Sequence, residues 1–172
     1  MTPSQHPSRP AVVPPGYTTV TPWMITPDTA QLLDFVKRAF DAEELARVPG
    51  PTGGIGHAEF RIGNSIVMAF DARPEWPSTP AFLRLFVADG DAVWQQAVDA
   101  GAEPLTRMAT HFWGDRGGRV RDPQGNVYWI QTRLEELAPE EIERRAQLPE
   151  YKEAMADAQT TDLLAPLPPT EP

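Results

Sequence analysis

Apolar residues recur along this chain with two periods, and the switches between them mark the elements. Tyr17 to Ile25 is β-prone, with Pro22 confined to an edge or a bulge because it offers no N–H to a ladder. Leu32, Phe35, Val36, Ala39 and Phe40 follow at helical spacing and predict a helix with one buried face. Thr26-Pro27-Asp28 opens it, with Thr26 as N-cap and Pro27 at the first helical position, or Asp28 as the alternative cap. Glu43 to Val48 reads as a strand and Pro49 to Gly56 as a loop. Ile55 to Arg61 and Ser65 to Phe70 then pair across Gly63-Asn64. After a Pro-rich stretch, Phe82 to Val87 is an apolar strand. Asp89 caps a helix whose face is Val93, Trp94, Ala97 and Val98, and Gly101 stops it. Leu105 to Phe112 is the next strand.

Trp113 to Thr132 closes this series as a hairpin. Its turn is Asp122-Pro123-Gln124-Gly125-Asn126, with Pro where φ is fixed and Gly where φ is positive. Gly114 to Gly118 reads as a second turn, upstream of it. The outline Gly125-Asn126 followed by an apolar strand also occurs about sixty residues earlier, at Gly63-Asn64. Each copy stands behind a strand and a helical segment that ends near an Ala-Glu pair, Ala42-Glu43 or Ala102-Glu103. The spacing suits two strand–helix–strand–strand–strand modules rather than a solenoid. Module one spans 17–71, a linker 72–80 and module two 81–132. Residues 133–160 are a helical extension, with a helix from Pro139 through Arg145 and another over Glu150 to Gln159. Residues 1–16, which include His6, form a Pro-rich arm expected to be disordered, and 161–172 a Pro-rich tail.

Composition changes this picture only by exclusion. The 172 residues suffice for one core shared by two modules, at 41% hydrophobic and 23% charged. A net charge of −9 argues against a nucleic-acid partner, since phosphate contacts need a basic surface. No apolar run approaches the ~20 residues of a membrane span, and nothing reads as a signal peptide. The absence of cysteine excludes disulfides and thiolate metal sites. The cytoplasm is the expected compartment.

Five stretches together carry a family resemblance. They are Asp34-Phe35-Val36-Lys37-Arg38-Ala39-Phe40 with Ala42-Glu43; His57-Ala58-Glu59-Phe60-Arg61-Ile62-Gly63; Trp113-Gly114-Asp115-Arg116; Asp122-Pro123 with Gly125-Asn126; and Pro139-Glu140-Glu141 with Arg144-Arg145. In these the chain resembles the vicinal oxygen chelate superfamily, the glyoxalase/bleomycin-resistance fold, and in particular its PhnB-like branch. The resemblance covers roughly Tyr17 to Ala146. It implies an α+β fold of two βαβββ modules whose mixed sheets form a cupped, open barrel, with an added C-terminal helix. It also implies a ligand site inside the cup and a homodimer.

Enzymes of that superfamily hold a divalent metal from the first and last strands of each module, leaving open positions for substrate oxygens. On this chain those positions fall near Thr21-Pro22, near Phe82, and on Val67 and Trp129, none of which ligates a hard cation well. No cofactor is therefore expected. The alternative metal set is His57 and Glu59, two apart on a strand and so on one face, with His111 from the other module; the plainer reading makes these histidines pocket-lining or hydrogen-bonded. Asp115-Arg116 either orients an anionic ligand or is an ion pair that stabilises its turn. Trp23, Trp113 and Trp129 with Met68 either wall a pocket or pack the core. Capture of a small molecule in a metal-free cup is the expectation. A metal-dependent lyase, isomerase or dioxygenase, or an interaction protein with a filled cup, are the alternatives.

Overall fold

A computed structural model describes residues 11–51 and 53–164. Most of the N-terminal arm, with His6, and the end of the tail lie outside the described residues. The elements run β1 (Trp23–Thr26), α1 (Thr29–Phe40), β2 (Glu43–Pro49), β3 (Ile55–Ile62), β4 (Ser65–Asp71), β5 (Phe82–Phe86), α2 (Gly90–Asp99), β6 (Glu103–Thr110), β7 (Asp115–Arg121), β8 (Val127–Arg133), α3 (Pro139–Arg145) and α4 (Pro149–Thr160). They form two four-stranded sheets of the same design, ordered β1-β4-β3-β2 and β5-β8-β7-β6. In each, the first strand is parallel to the last and the other pairings are antiparallel. The fold is the α+β, twice-repeated βαβββ architecture, extended by two C-terminal helices.

Several local expectations shift. β1 begins only at Trp23: Pro22 gives its carbonyl to Met68 N–H, and the residues before it turn back on themselves through Thr18 and Thr21. Asp28, not Thr26, caps α1, accepting from Gln31 N–H at 3.0 Å, which leaves Pro27 outside the helix. Asp89 caps α2 as its position suggests. β6 starts two residues earlier than its apolar run, at Glu103. The reversal before β7 is completed at Gly114, whose φ is +94°, so Asp115 to Gly118 belong to the strand rather than to a turn.

The core lies on the helix side of both sheets. Leu32, Leu33, Phe35, Val36 and Ala39 of α1 are fully buried against Met24, Ala58, Phe60 and Ala69 of the first sheet, and the same cluster takes in Val120, Tyr128 and Ile130 of the second. Phe35 and Phe40 reach across the module boundary to the Tyr128 ring at 6.0 and 4.7 Å. Each such side chain contributes about 1.5–3 kcal/mol by leaving water. α1 also packs against α2. Because strand side chains alternate, the opposite faces of the two sheets point away from this shared core.

α3 and α4 each start on a proline without a side-chain cap. α4 lies over β6, where Arg107 pairs with Glu153 at 3.4 Å, and Arg119 of β7 donates to the Ala158 carbonyl. Among the described residues no helix is long and apolar enough to cross a membrane.

Candidate functional site

The helix-free face of the first sheet follows from its register. Trp23 lies beside Met68, which lies beside Glu59, so three strands contribute neighbouring side chains. His57, two residues before Glu59, shares the face, and its Nε2 is 2.9 Å from Glu59 Oε1. The other carboxylate oxygen accepts from Tyr17 Oη at 2.6 Å. The Tyr17 and His57 hydrogen bonds hold the Glu59 carboxyl below the usual glutamate range, against a smaller effect of burial. Beside this group Trp23, Phe70 and Trp76 make an edge-to-face run with centroids 5.2 and 5.3 Å apart, and Arg73 lies 3.8 Å over Trp76. With Ile25 these rings line a cavity of about 220 Å³.

The helix-free face of the second sheet centres on Trp129. Its parallel partner is Arg84 and its antiparallel partner Arg119. Both guanidinium carbons lie over the indole, at 4.3 and 4.0 Å. His111 stacks on Trp113 at 4.4 Å and meets Trp129 edge-on at 5.7 Å. It is buried, and neither ring nitrogen closes a hydrogen bond of normal geometry. Burial lowers its pKa, keeping the imidazole neutral at physiological pH, although the Gly117 backbone works the other way. Trp113 Nε1 donates to Asp115 at 2.9 Å. Gln131, next on this face of β8, is fully buried with both amide atoms unpaired. A cavity of about 230 Å³ is lined by Phe82, Leu83, Arg84, Arg119, Trp129 and Leu163, among others.

The candidates therefore divide. Trp23, His57, Glu59 and Met68 share one face; His111, Trp113 and Trp129 share the other. Arg116 joins neither: it lies on the helix side of β7 and pairs with both carboxylate oxygens of Asp91 on α2 at 2.7 Å. The ion pair with Asp115 does not form, since in a strand successive side chains point to opposite faces. Among the described residues no three His, Asp or Glu side chains are placed to hold a metal ion, so His57 and Glu59 do not meet His111 within one chain. The superfamily's ligand positions do not fit a cation either. Val67 is buried toward the helices, and Phe82 and Trp129 offer no hard donor. Tyr17, Arg84, Arg119 and Gln131 were missed in the sequence. For Arg84 the signal was present, as the single charge in the alternation Phe82-Leu83-Arg84-Leu85-Phe86.

Residues 16–130, well over half of the chain, match the family described as the Glyoxalase/Bleomycin resistance protein/Dioxygenase superfamily. The chain belongs to that superfamily. It is 37% identical over 135 residues to the uncharacterized protein Mb0911c of Mycobacterium bovis, covering 72% of this chain and 89% of that one. In fold it is similar to TioX from Micromonospora sp. ML1, at a TM-score of 0.56 and 23% identity over 70% of this chain and 100% of that one. It is also similar to TnmS3, an antibiotic binding protein from Streptomyces sp. CB03234, at 0.53 and 21% over 67% and 97%.

Proposed function

We propose that this protein captures a small molecule without metal chemistry, in a cup walled by the helix-free sheet faces and completed in a homodimer. The observation that carries the reading is Trp129: it stands at the last-strand position where catalytic relatives place a ligand, with a guanidinium from each neighbouring strand over it. That environment repels a cation and suits an organic ligand. The fold shared with TnmS3, described as an antibiotic binding protein, is consistent with capture. The dimer is supported by size and by surface. The cavities lined by Trp23 and by Trp129 hold about 220 and 230 Å³, below the ~300 Å³ at which small-molecule sites begin, while wider clefts of about 460 and 610 Å³ open beside Trp76 and between Pro22 and Phe86. Trp23, Phe82 and Phe86 stand 58, 55 and 62% exposed on those faces, as in surfaces that await a partner. Within the superfamily we place the chain in the PhnB-like branch, on its Trp113-Gly114-Asp115-Arg116 and Pro139-Glu140-Glu141 stretches. We assign it to the cytoplasm with no nucleic-acid partner, in keeping with its net charge of −9.

Native mass spectrometry of freshly isolated protein tests metal, ligand and subunit number together. A dimer carrying an organic adduct and no metal is expected. A stoichiometric metal whose removal by EDTA weakens ligand binding, and whose retention fails in His57→Ala, would replace capture by the metal-enzyme reading. The exposed rings of Trp23, Phe82 and Phe86 favour a second reading, an interaction protein. A monomer that binds no organic probe would select it.

A further inference from the structure

We propose that the Trp129 face is an oxyanion site, selecting a compact apolar molecule that carries a carboxylate, sulfonate or phosphonate group, and that the end of α4 holds the anion's place in the free protein. This rests on the capture reading. Arg47, Arg61, Arg116, Arg121, Arg144 and Arg145 each meet a carboxylate. Among the described residues Arg84 and Arg119 close no such ion pair, Asp157 acting on Arg119 only from further off, in a chain whose net charge is −9. The two like charges are brought together over one indole by strand register. Their mutual repulsion is relieved by an anion between them. Stacking on Trp129 holds both forks in place before a ligand arrives, so less ordering accompanies binding. Phe82, Leu83 and Val127 supply an apolar wall beside the charges. The buried, unpaired Gln131 amide lies further along the same face.

Among the described residues the Arg119 guanidinium donates to the Ala158 carbonyl alone, in the last turn of α4. Such carbonyls lack a partner within the helix and carry its negative dipole end. A partial negative charge thus stands where a full one fits. α4 is also poorly anchored: it has no side-chain N-cap, Ala158 is its only buried residue, and Leu163 beyond it reaches into the same cavity. A ligand anion displaces this carbonyl by outcompeting a neutral acceptor with a charged one.

The test compares naphthalene-2-carboxylate with naphthalene-2-carboxamide, which has the same ring system without the charge, by calorimetry on the full chain. The carboxylate is expected to bind about tenfold more tightly. The advantage should shrink with added salt and vanish in Arg84→Gln/Arg119→Gln, while carboxamide binding stays within about twofold. In wild type, amide exchange over 149–164 should accelerate when the carboxylate binds and not when the carboxamide does. Equal affinities, or a preference that survives salt and the double substitution, overturn the oxyanion site while leaving capture standing. Unchanged exchange over 149–164 overturns the role of α4. If neither compound binds, the capture reading falls, and this inference with it.

Discussion

Asp122 shows how much one side chain can organise. It is fully buried, and its carboxylate accepts from the Gln124 and Asn126 N–H groups, the Asn126 amide and the Tyr128 hydroxyl at 2.8 to 3.0 Å. Burial raises its pKa despite those donors. Asp122→Asn turns an amide N–H toward groups that can only donate or must be rotated away. It is expected to cost about 1–3 kcal/mol, read as a lower urea midpoint at unchanged slope. The turn itself was legible, because Pro123 and Gly125 dictate it. The four-way acceptor was not, because no local pattern says that Tyr128 turns its hydroxyl back. Glu59 gives a pH signature. Its carboxyl is depressed in the folded state, so its stabilisation is complete above the ordinary glutamate pKa of ~4.3 and disappears as pH falls through the lower, folded value. The stability gap between wild type and Glu59→Gln, followed by urea unfolding, should therefore be flat above about pH 5 and close on acidification. That His57 and Glu59 share a face could be read from their spacing. The hand of Tyr17 on the same carboxylate could not, since it depends on where a non-repetitive segment crosses the sheet.

At the scale of elements, β7 explains both a misreading and a prediction. A stretch with Gly114, Gly117 and Gly118 looks like a turn, yet the last two lie mid-strand. A Cβ on Gly117 would come within 2.6 Å of Gln131 Cγ and 2.8 Å of the Ile130 carbonyl, and one on Gly118 within 2.9 Å of Met108 Sδ. These glycines serve close approach, which leaves the same trace in a sequence as a bend does. Gly117→Ala should lose about 1–3 kcal/mol in thermal unfolding and disturb Trp129 fluorescence, because its Cβ also crowds Trp129 Nε1 at 3.1 Å. The remaining elements were readable to within a few residues wherever a cap or a turn residue marked the boundary, as Asp89 does for α2. Register was not readable, and it is register that sets Arg84 and Arg119 beside Trp129.

For the whole molecule, the duplicated order was legible from Gly63-Asn64 and Gly125-Asn126, but the sense in which the halves pack was not. Strands such as Ser65–Asp71 and Phe82–Phe86 carry apolar side chains on both faces, so alternation alone does not say which face meets the helices. The structure puts the helices between the halves and leaves Trp23, Phe82 and Phe86 uncovered. Sedimentation should accordingly show a dimer, and Phe82→Glu/Phe86→Glu should shift it to monomer while leaving far-ultraviolet circular dichroism unchanged. The rings of Phe35, Phe40 and Tyr128 tie the halves through contacts in which the segment that joins them covalently takes no part. Severing the backbone between Pro74 and Ser78 should thus yield two polypeptides that stay together through gel filtration and melt in a single step, the nick having removed a tether rather than a fastening.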